Sequence, residues 1–242
     1  MDTQRELIEG LLQFVTLAES ERKLLAADLH DQTLSDLREL VRISRRLFEL
    51  PEGKMSPEVR DGLAYIVTGL EEAMNEVRRA MESLSPSALD TLGFLPALEN
   101  CLARAAAGSD RPFAMRFACL VKEEEVRLSE IEQLLVYRIV QEALNNISKH
   151  AHARSVELLV ARVGGDLFIR VVDDGRGMTE SGELGRARGL QNMRYRARLI
   201  GASLTWLRGM GGQGTAVEIY VPMQEEVGGR VSGARGLKSR RA

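Results

Sequence analysis

His30 stands in the run Ala26-Ala27-Asp28-Leu29-His30-Asp31-Gln32, inside a stretch whose apolar residues recur with helical spacing. Imidazole as a class titrates near neutrality, so much of it is nucleophilic at pH 7, and with an acid beside it such a ring can accept a phosphoryl group. Neighbouring side chains on an α-helix point about 100° apart. Three and four residues either side of His30 stand Ala26, Ala27, Thr33 and Leu34, with no acid among them. A polar histidine on a helix is by itself an ordinary solvated residue, so the meaning of His30 depends on the rest of the chain.

Four further pieces carry chemistry. Glu142, Asn146 and Lys149, at steps of four and three, share a helix face beside the packed face of Val136, Val140, Ala143 and Ile147. An oxygen ligand there can hold Mg2+, which takes only one or two protein ligands beside phosphate and water, and an ammonium neutralises phosphate charge. Val171-Val172-Asp173-Asp174-Gly175-Arg176-Gly177 reads as a strand ending in an acid and a glycine turn. Glycine lets a backbone approach a flat ligand, and a carboxylate accepts from an exocyclic amine such as adenine's. Residues 182–190 place Gly185 and Gly189 ahead of a helix whose first amides can receive phosphate. Gly211-Gly212-Gln213-Gly214-Thr215 leads into a final strand. Each piece also has a plain reading as an exposed helix face or a polar turn; their order and spacing carry the signal.

The elements that must hold these residues divide the chain. From residue 4 to 50 there is no proline, and Leu7, Leu11, Phe14, Ala18, Leu25, Leu29, Leu37, Leu40 and Leu47 give one long amphipathic helix. Pro51, Gly53 and Ser56-Pro57 break it, and Ser56 with Pro57 starts a second helix whose stripe Val59, Leu63, Ile66, Leu70, Met74, Val77, Met81, Leu84 reads as a heptad seam. A hairpin of two helices cannot cover both apolar faces, so a homodimeric four-helix bundle is expected. Residues 89–107 read as a connecting helix and 108–112 as a boundary.

After that boundary the period changes. Strands are expected at 113–120, 155–163, 167–173, 203–208 and 215–221, with helices at 129–149, opened by a capping box of Ser129 and Glu132, and at 190–200. The fold class is therefore α plus α/β: the bundle, then an α/β sandwich with a mixed, mostly antiparallel sheet. The domains read as 1–88 for dimerisation, 89–111 as linker helix, 112–222 for the sandwich, and 223–242 as a disordered basic tail with Arg230, Arg235, Lys238, Arg240 and Arg241.

Composition narrows the function classes. With 242 residues, 44% apolar and 28% charged, the chain has the makeup of a globular protein. A net charge of -2 gives no general attraction to nucleic acid or to anionic membrane. No apolar stretch reaches the roughly 20 residues of a spanning helix, and Met1-Asp2-Thr3 does not open a signal sequence, so a cytoplasmic chain without membrane contact is expected. Cys101 and Cys119 lack metal or disulfide spacing and suit small core positions in a reducing compartment.

Taken together the motifs resemble a bacterial two-component sensor histidine kinase of the nitrate-sensor-like subfamily, over residues 15–222. They are Glu21-Arg22 with Asp28-Leu29-His30-Asp31, LSPSALDTLGFLPALE at 84–99, QEALNNISKHA at 141–151, DDGRGM at 173–178, GLQNMRYRA at 189–197 and GQGT at 212–215. The resemblance implies a dimerisation and phosphoacceptor hairpin followed by a Bergerat-fold ATPase domain, the fold shared with gyrase and MutL. It further implies autophosphorylation by ATP with Mg2+ and transfer of the phosphoryl group to an aspartate of a response regulator receiver domain.

Carried onto this chain, the resemblance makes His30 the phosphoacceptor and Asp31 the base. Glu142 and Asn146 fall on the Mg2+-associated positions, with Lys149 and His150 on the phosphate side. Asp173 is matched to the adenine amine, Gly175, Gly177, Gly189 and Leu190 to the pocket and its lid, and Thr215 to a nucleotide contact. His152 has no matched role. The chain departs from the subfamily at Ser35, where a glutamine used in dephosphorylation is usual, and at Leu24 and Ala27, where a basic residue is usual. The alternative reading is a nucleotide-binding dimeric scaffold that does not phosphorylate, a pseudokinase.

Overall fold

The computed structural model describes residues 2–49, 55–85, 87–109, 111–177 and 188–223. The expected turn at Pro51 and Gly53, the glycine loop at 182–187 and the tail from 224 lie outside the described residues.

Helix α1 (Asp2–Asp28) and helix α2 (Ser35–Phe48) form one rod joined by a wider π-helical segment, Leu29–Leu34. The expected single helix is thus interrupted at His30. Its i→i+5 hydrogen bonding inserts extra backbone into the turn and reduces the angular step between successive residues. Helix α3 (Pro57–Leu84) returns along the rod. Ser56 caps it as expected, its hydroxyl accepting from the Val59 N–H at 3.4 Å with Pro57 in the first turn. The hairpin has little core of its own. Leu34 and Met74 are buried, α2 has no buried residue, and Leu40, Ile43, Leu47, Val59 and Ile66 are exposed.

The connecting helix is two helices, α4 (Ser87–Leu92) and α5 (Phe94–Ala107), bent at Gly93, whose φ is 88°. The carboxylate of Glu123 caps the second, accepting from the N–H groups of Phe94 at 2.6 Å and Leu95 at 3.0 Å. Helix α5 forms a wall of the α/β layer, since Phe94, Leu98 and Leu102 lie fully inside its core.

Strands β1 (Ala114–Cys119), β2 (Ser155–Val163), β3 (Asp166–Asp173), β4 (Ser203–Arg208) and β5 (Thr215–Pro222) form one sheet in the order β1-β2-β3-β5-β4. Only β1 with β2 is parallel; the other pairs are antiparallel. Helices α6 (Glu130–Asn146) and α7 (Arg188–Leu199) join α5 over one face of this sheet. Alternation along the strands turns Val156, Leu158, Val160, Leu167, Ile169, Val171, Val217 and Ile219 into that core. The capping box of α6 forms as expected, with Glu132 N–H donating to the Ser129 hydroxyl and Ser129 N–H to the Glu132 carboxylate. No helix among the described residues is long and apolar enough to cross a membrane.

Candidate functional site: a cavity around Asp173

Helix α6 runs over the sheet and passes into a π-helical turn, Ile147–Ala151, which ends where His152 takes a left-handed conformation at φ 52°. The turn carries its end onto the loop after β3: the Ala151 carbonyl accepts from the Arg176 N–H at 2.8 Å. Between α6, the start of α7 and the sheet lies a cavity of about 740 Å3, within the span of pockets that hold small organic ligands.

Asp173, the last residue of β3, is its buried acid, with 2% of its surface exposed. Its Oδ1 accepts from the Gly175 N–H at 2.8 Å and its Oδ2 from the Thr215 N–H at 3.2 Å. Each oxygen retains a lone pair, so the carboxylate can still accept from a ligand amine. Burial pushes the Asp173 carboxyl above its ordinary range, the Gly175 and Thr215 N–H groups oppose that rise, and the charge of Asp174 adds to it. Asp174 faces the other way. Its Oδ1 accepts from the N–H groups of Arg154 at 2.7 Å and Ser155 at 2.8 Å, fixing the start of β2. Burial works against ionisation there too, but these N–H groups prevail and hold its carboxyl below the ordinary range.

Backbone closes tightly around Asp173. Gly214, at φ 70°, leaves no room for a side chain, since a Cβ would collide with the Asp173 main-chain carbonyl. A Cβ on Gly189 would meet the Glu142 carboxylate. These close approaches bring the acid, the loop before β5 and the first turn of α7 around one space.

Most of the residues singled out from the sequence meet here. Glu142, Asn146, His150, Asp173, Gly177, Gly189, Leu190 and Thr215 all line the cavity, and Gly175 is tied to Asp173. Lys149 is exposed and is not among the lining residues, because the π turn shifts the helical phase that stacked it over Asn146. His30 is exposed on the hairpin, away from the lining. The backbone of Asp31 lies in the same π segment, and its side chain is outside the described set. Sequence reasoning missed Arg176, Met193 and the sheet floor of Val171, Val217 and Trp206. For Trp206 a signal existed in the alternation of β4, where Leu204 and Trp206 face inward between exposed Ser203, Thr205 and Leu207.

The donor set suits a nucleotide. An apolar floor and a buried carboxylate fit a flat base bearing an amine, and Glu142 with Asn146, one turn apart on α6, offers the two oxygen donors that Mg2+ takes beside phosphates.

Residues 131–225 match the family described as histidine kinase-, DNA gyrase B- and HSP90-like ATPase. The chain is 25% identical over 219 residues to the signal transduction histidine-protein kinase/phosphatase DegS of Brevibacillus brevis, covering 89% of this chain and 54% of that protein. It is 25% identical over 210 residues to the sensor protein VraS of Staphylococcus epidermidis, covering 87% of this chain and 58% of that protein. The chain thus spans just over half the length of these curated relatives. Its fold is similar to that of the histidine kinase domain from the Erythrobacter litoralis EL346 blue-light activated histidine kinase, with TM-score 0.52 and 18% identity, covering 85% of this chain and 94% of that one. The cavity around Asp173 therefore lies within the segment that matches this ATPase family, and the chain is similar over most of its length to sensor histidine kinases.

Proposed function

We propose that this chain is an ATP-dependent protein histidine kinase of the nitrate-sensor-like kind, working as a cytoplasmic homodimer. One observation carries the reading: a chain with a cavity of about 740 Å3 built on Asp173 also presents an exposed histidine at a π-helical break in a long helical rod. Such breaks recur at functional positions in helices.

In the first step a ring nitrogen of His30 attacks the γ-phosphorus of ATP. The bond from that phosphorus to the bridging oxygen breaks, ADP leaves, and Asp31 takes the imidazole proton. In the second step a carboxylate oxygen of a receiver-domain aspartate attacks the same phosphorus, the P–N bond breaks, and the proton taken by Asp31 returns to the imidazole. Such transfers ask a protein chiefly for alignment and charge neutralisation. Asp173 anchors the base through its amine, Thr215 and the glycines shape the pocket, and His150 lines the cavity on the side assigned to phosphate, with Lys149 outside the lining. Glu142 and Asn146 would hold Mg2+, which supplies positive charge against the phosphates. The exposed apolar residues of α2 and α3 form the dimer seam. Phosphatase activity, part of the name of the Brevibacillus brevis relative, is not part of this reading, since Ser35 stands where a glutamine is usual.

Labelling with γ-labelled ATP tests the proposal. Wild type is expected to gain an acid-labile, alkali-stable label that His30→Gln abolishes without loss of ATP binding, and that Asn146→Ala reduces. Persistent label in His30→Gln overturns the assignment, and ATP binding with no label in wild type favours the scaffold reading.

A further inference from the structure

Trp206, the only tryptophan of the chain, forms part of the cavity floor with no role yet assigned to it. The pairings Val171↔Val217 and Trp206↔Val217 set Val171, Val217 and Trp206 in one row across β3, β5 and β4. Asp173 and Thr215 lie two residues along, on the same face. Same-face rows are about 6.7 Å apart and strands about 4.8 Å, so the backbone of Trp206 stands roughly 12 Å from that of Asp173. The carboxylate marks one end of the floor and the indole the other. Arg194 of α7 lies over the indole with its Cζ 4.9 Å from the ring centroid, covering one face and fixing the ring plane. Trp206 also lines the cavity.

We propose that Trp206 makes this cavity select a purine over a pyrimidine. The inference rests on the nucleotide reading above. Adenine and cytosine both carry an exocyclic amine on the pairing edge. A carboxylate at Asp173 therefore does not by itself separate adenine from cytosine. Ring area does separate them. A two-ring base anchored at Asp173 extends along the floor to the indole and gains a contact that a one-ring base forgoes.

Calorimetric titration of the full chain with ADP and CDP tests this. Wild type is expected to bind ADP more tightly than CDP. Trp206→Leu weakens ADP about tenfold and leaves CDP nearly unchanged, so the ADP-to-CDP preference falls about tenfold, while Trp206→Phe recovers most of it. Asp173→Ala instead weakens ADP and CDP together. A second measurement needs no variant: Trp206 is the sole indole, so its emission must change saturably with ADP at the calorimetric Kd. ADP binding with unchanged emission, or an unchanged ADP-to-CDP ratio in Trp206→Leu, overturns the role of Trp206 and leaves the nucleotide reading standing. Absence of ADP binding to wild type overturns both.

Discussion

The carboxylate of Glu19 and the guanidinium of Arg138 meet at 2.9 Å, both buried, with 7% and 4% of their surfaces exposed. The same Arg138 nitrogen donates to the Leu84 carbonyl at 2.7 Å, and the other Glu19 oxygen accepts from Arg22 at 2.7 Å. One guanidinium thus joins α1, the end of α3 and α6. This is where the helical hairpin and the α/β layer are tied, together with Leu11, Leu12 and Val15, which pack on the core of that layer.

Removing one partner of a buried pair strands the other, whereas replacing both with apolar groups is often neutral. Glu19→Leu and Arg138→Met are each expected to cost about 3 kcal/mol in urea unfolding. The double variant should cost far less than their sum. Additive losses would show that the two side chains act independently.

Asp173 gives stability an inverted pH dependence. Its folded pKa lies above the ordinary value of 3.8, so between the two the folded chain binds more protons than the unfolded one. Its contribution therefore falls as pH rises through that window. Asp173→Asn removes the titration, while its amide NH2 must face one of the two N–H groups. Wild type minus variant stability, from urea unfolding at successive pH values from 4 upward, is expected to shrink. A widening difference contradicts it. ADP affinity of the variant falls at least tenfold at pH values where the wild-type carboxyl is ionised.

Gly214→Ala tests the close packing behind Asp173. A methyl group there collides with the Asp173 carbonyl, which is backbone and cannot step aside, at a φ of 70° that side chains resist. A loss of about 2 kcal/mol or more is expected, together with loss of ADP binding. Wild-type melting and binding would show that the loop relaxes freely.

His152→Gly acts in the opposite direction. His152 holds φ 52° on the surface after the π turn, a conformation that costs a side chain about 1 kcal/mol. Glycine removes that cost, so thermal unfolding should move upward by a few degrees with ADP affinity unchanged. A lower melting temperature would mean that the imidazole makes a needed contact.

The strands were legible because β-branched runs such as 155–163 sit between plain turn signals, and the observed β2 and β4 coincide with the expected spans. Helix starts were legible at Ser56 and Ser129, where capping chemistry is local. What local pattern does not encode was lost. Both π turns keep the composition of ordinary helix, so neither the break at His30 nor the rotation of Lys149 off the cavity could be read from spacing. Helix α5 carried the right period but no sign of which layer it would face. The floor residues Val171 and Val217 looked like any buried strand positions until sheet order set them beside Asp173.

Among the described residues the hairpin leaves much of its apolar stripe half-buried or exposed, while the α/β layer closes around its own core. In terms of mass action the two parts obey different laws. Folding of the α/β layer is unimolecular, with a midpoint independent of protein concentration. Under the proposed dimerisation the hairpin's partner is a reactant, so its unfolding midpoint should climb as the chain is concentrated. Dilution would then melt the rods first, leaving a folded α/β layer and a histidine without the proposed bundle.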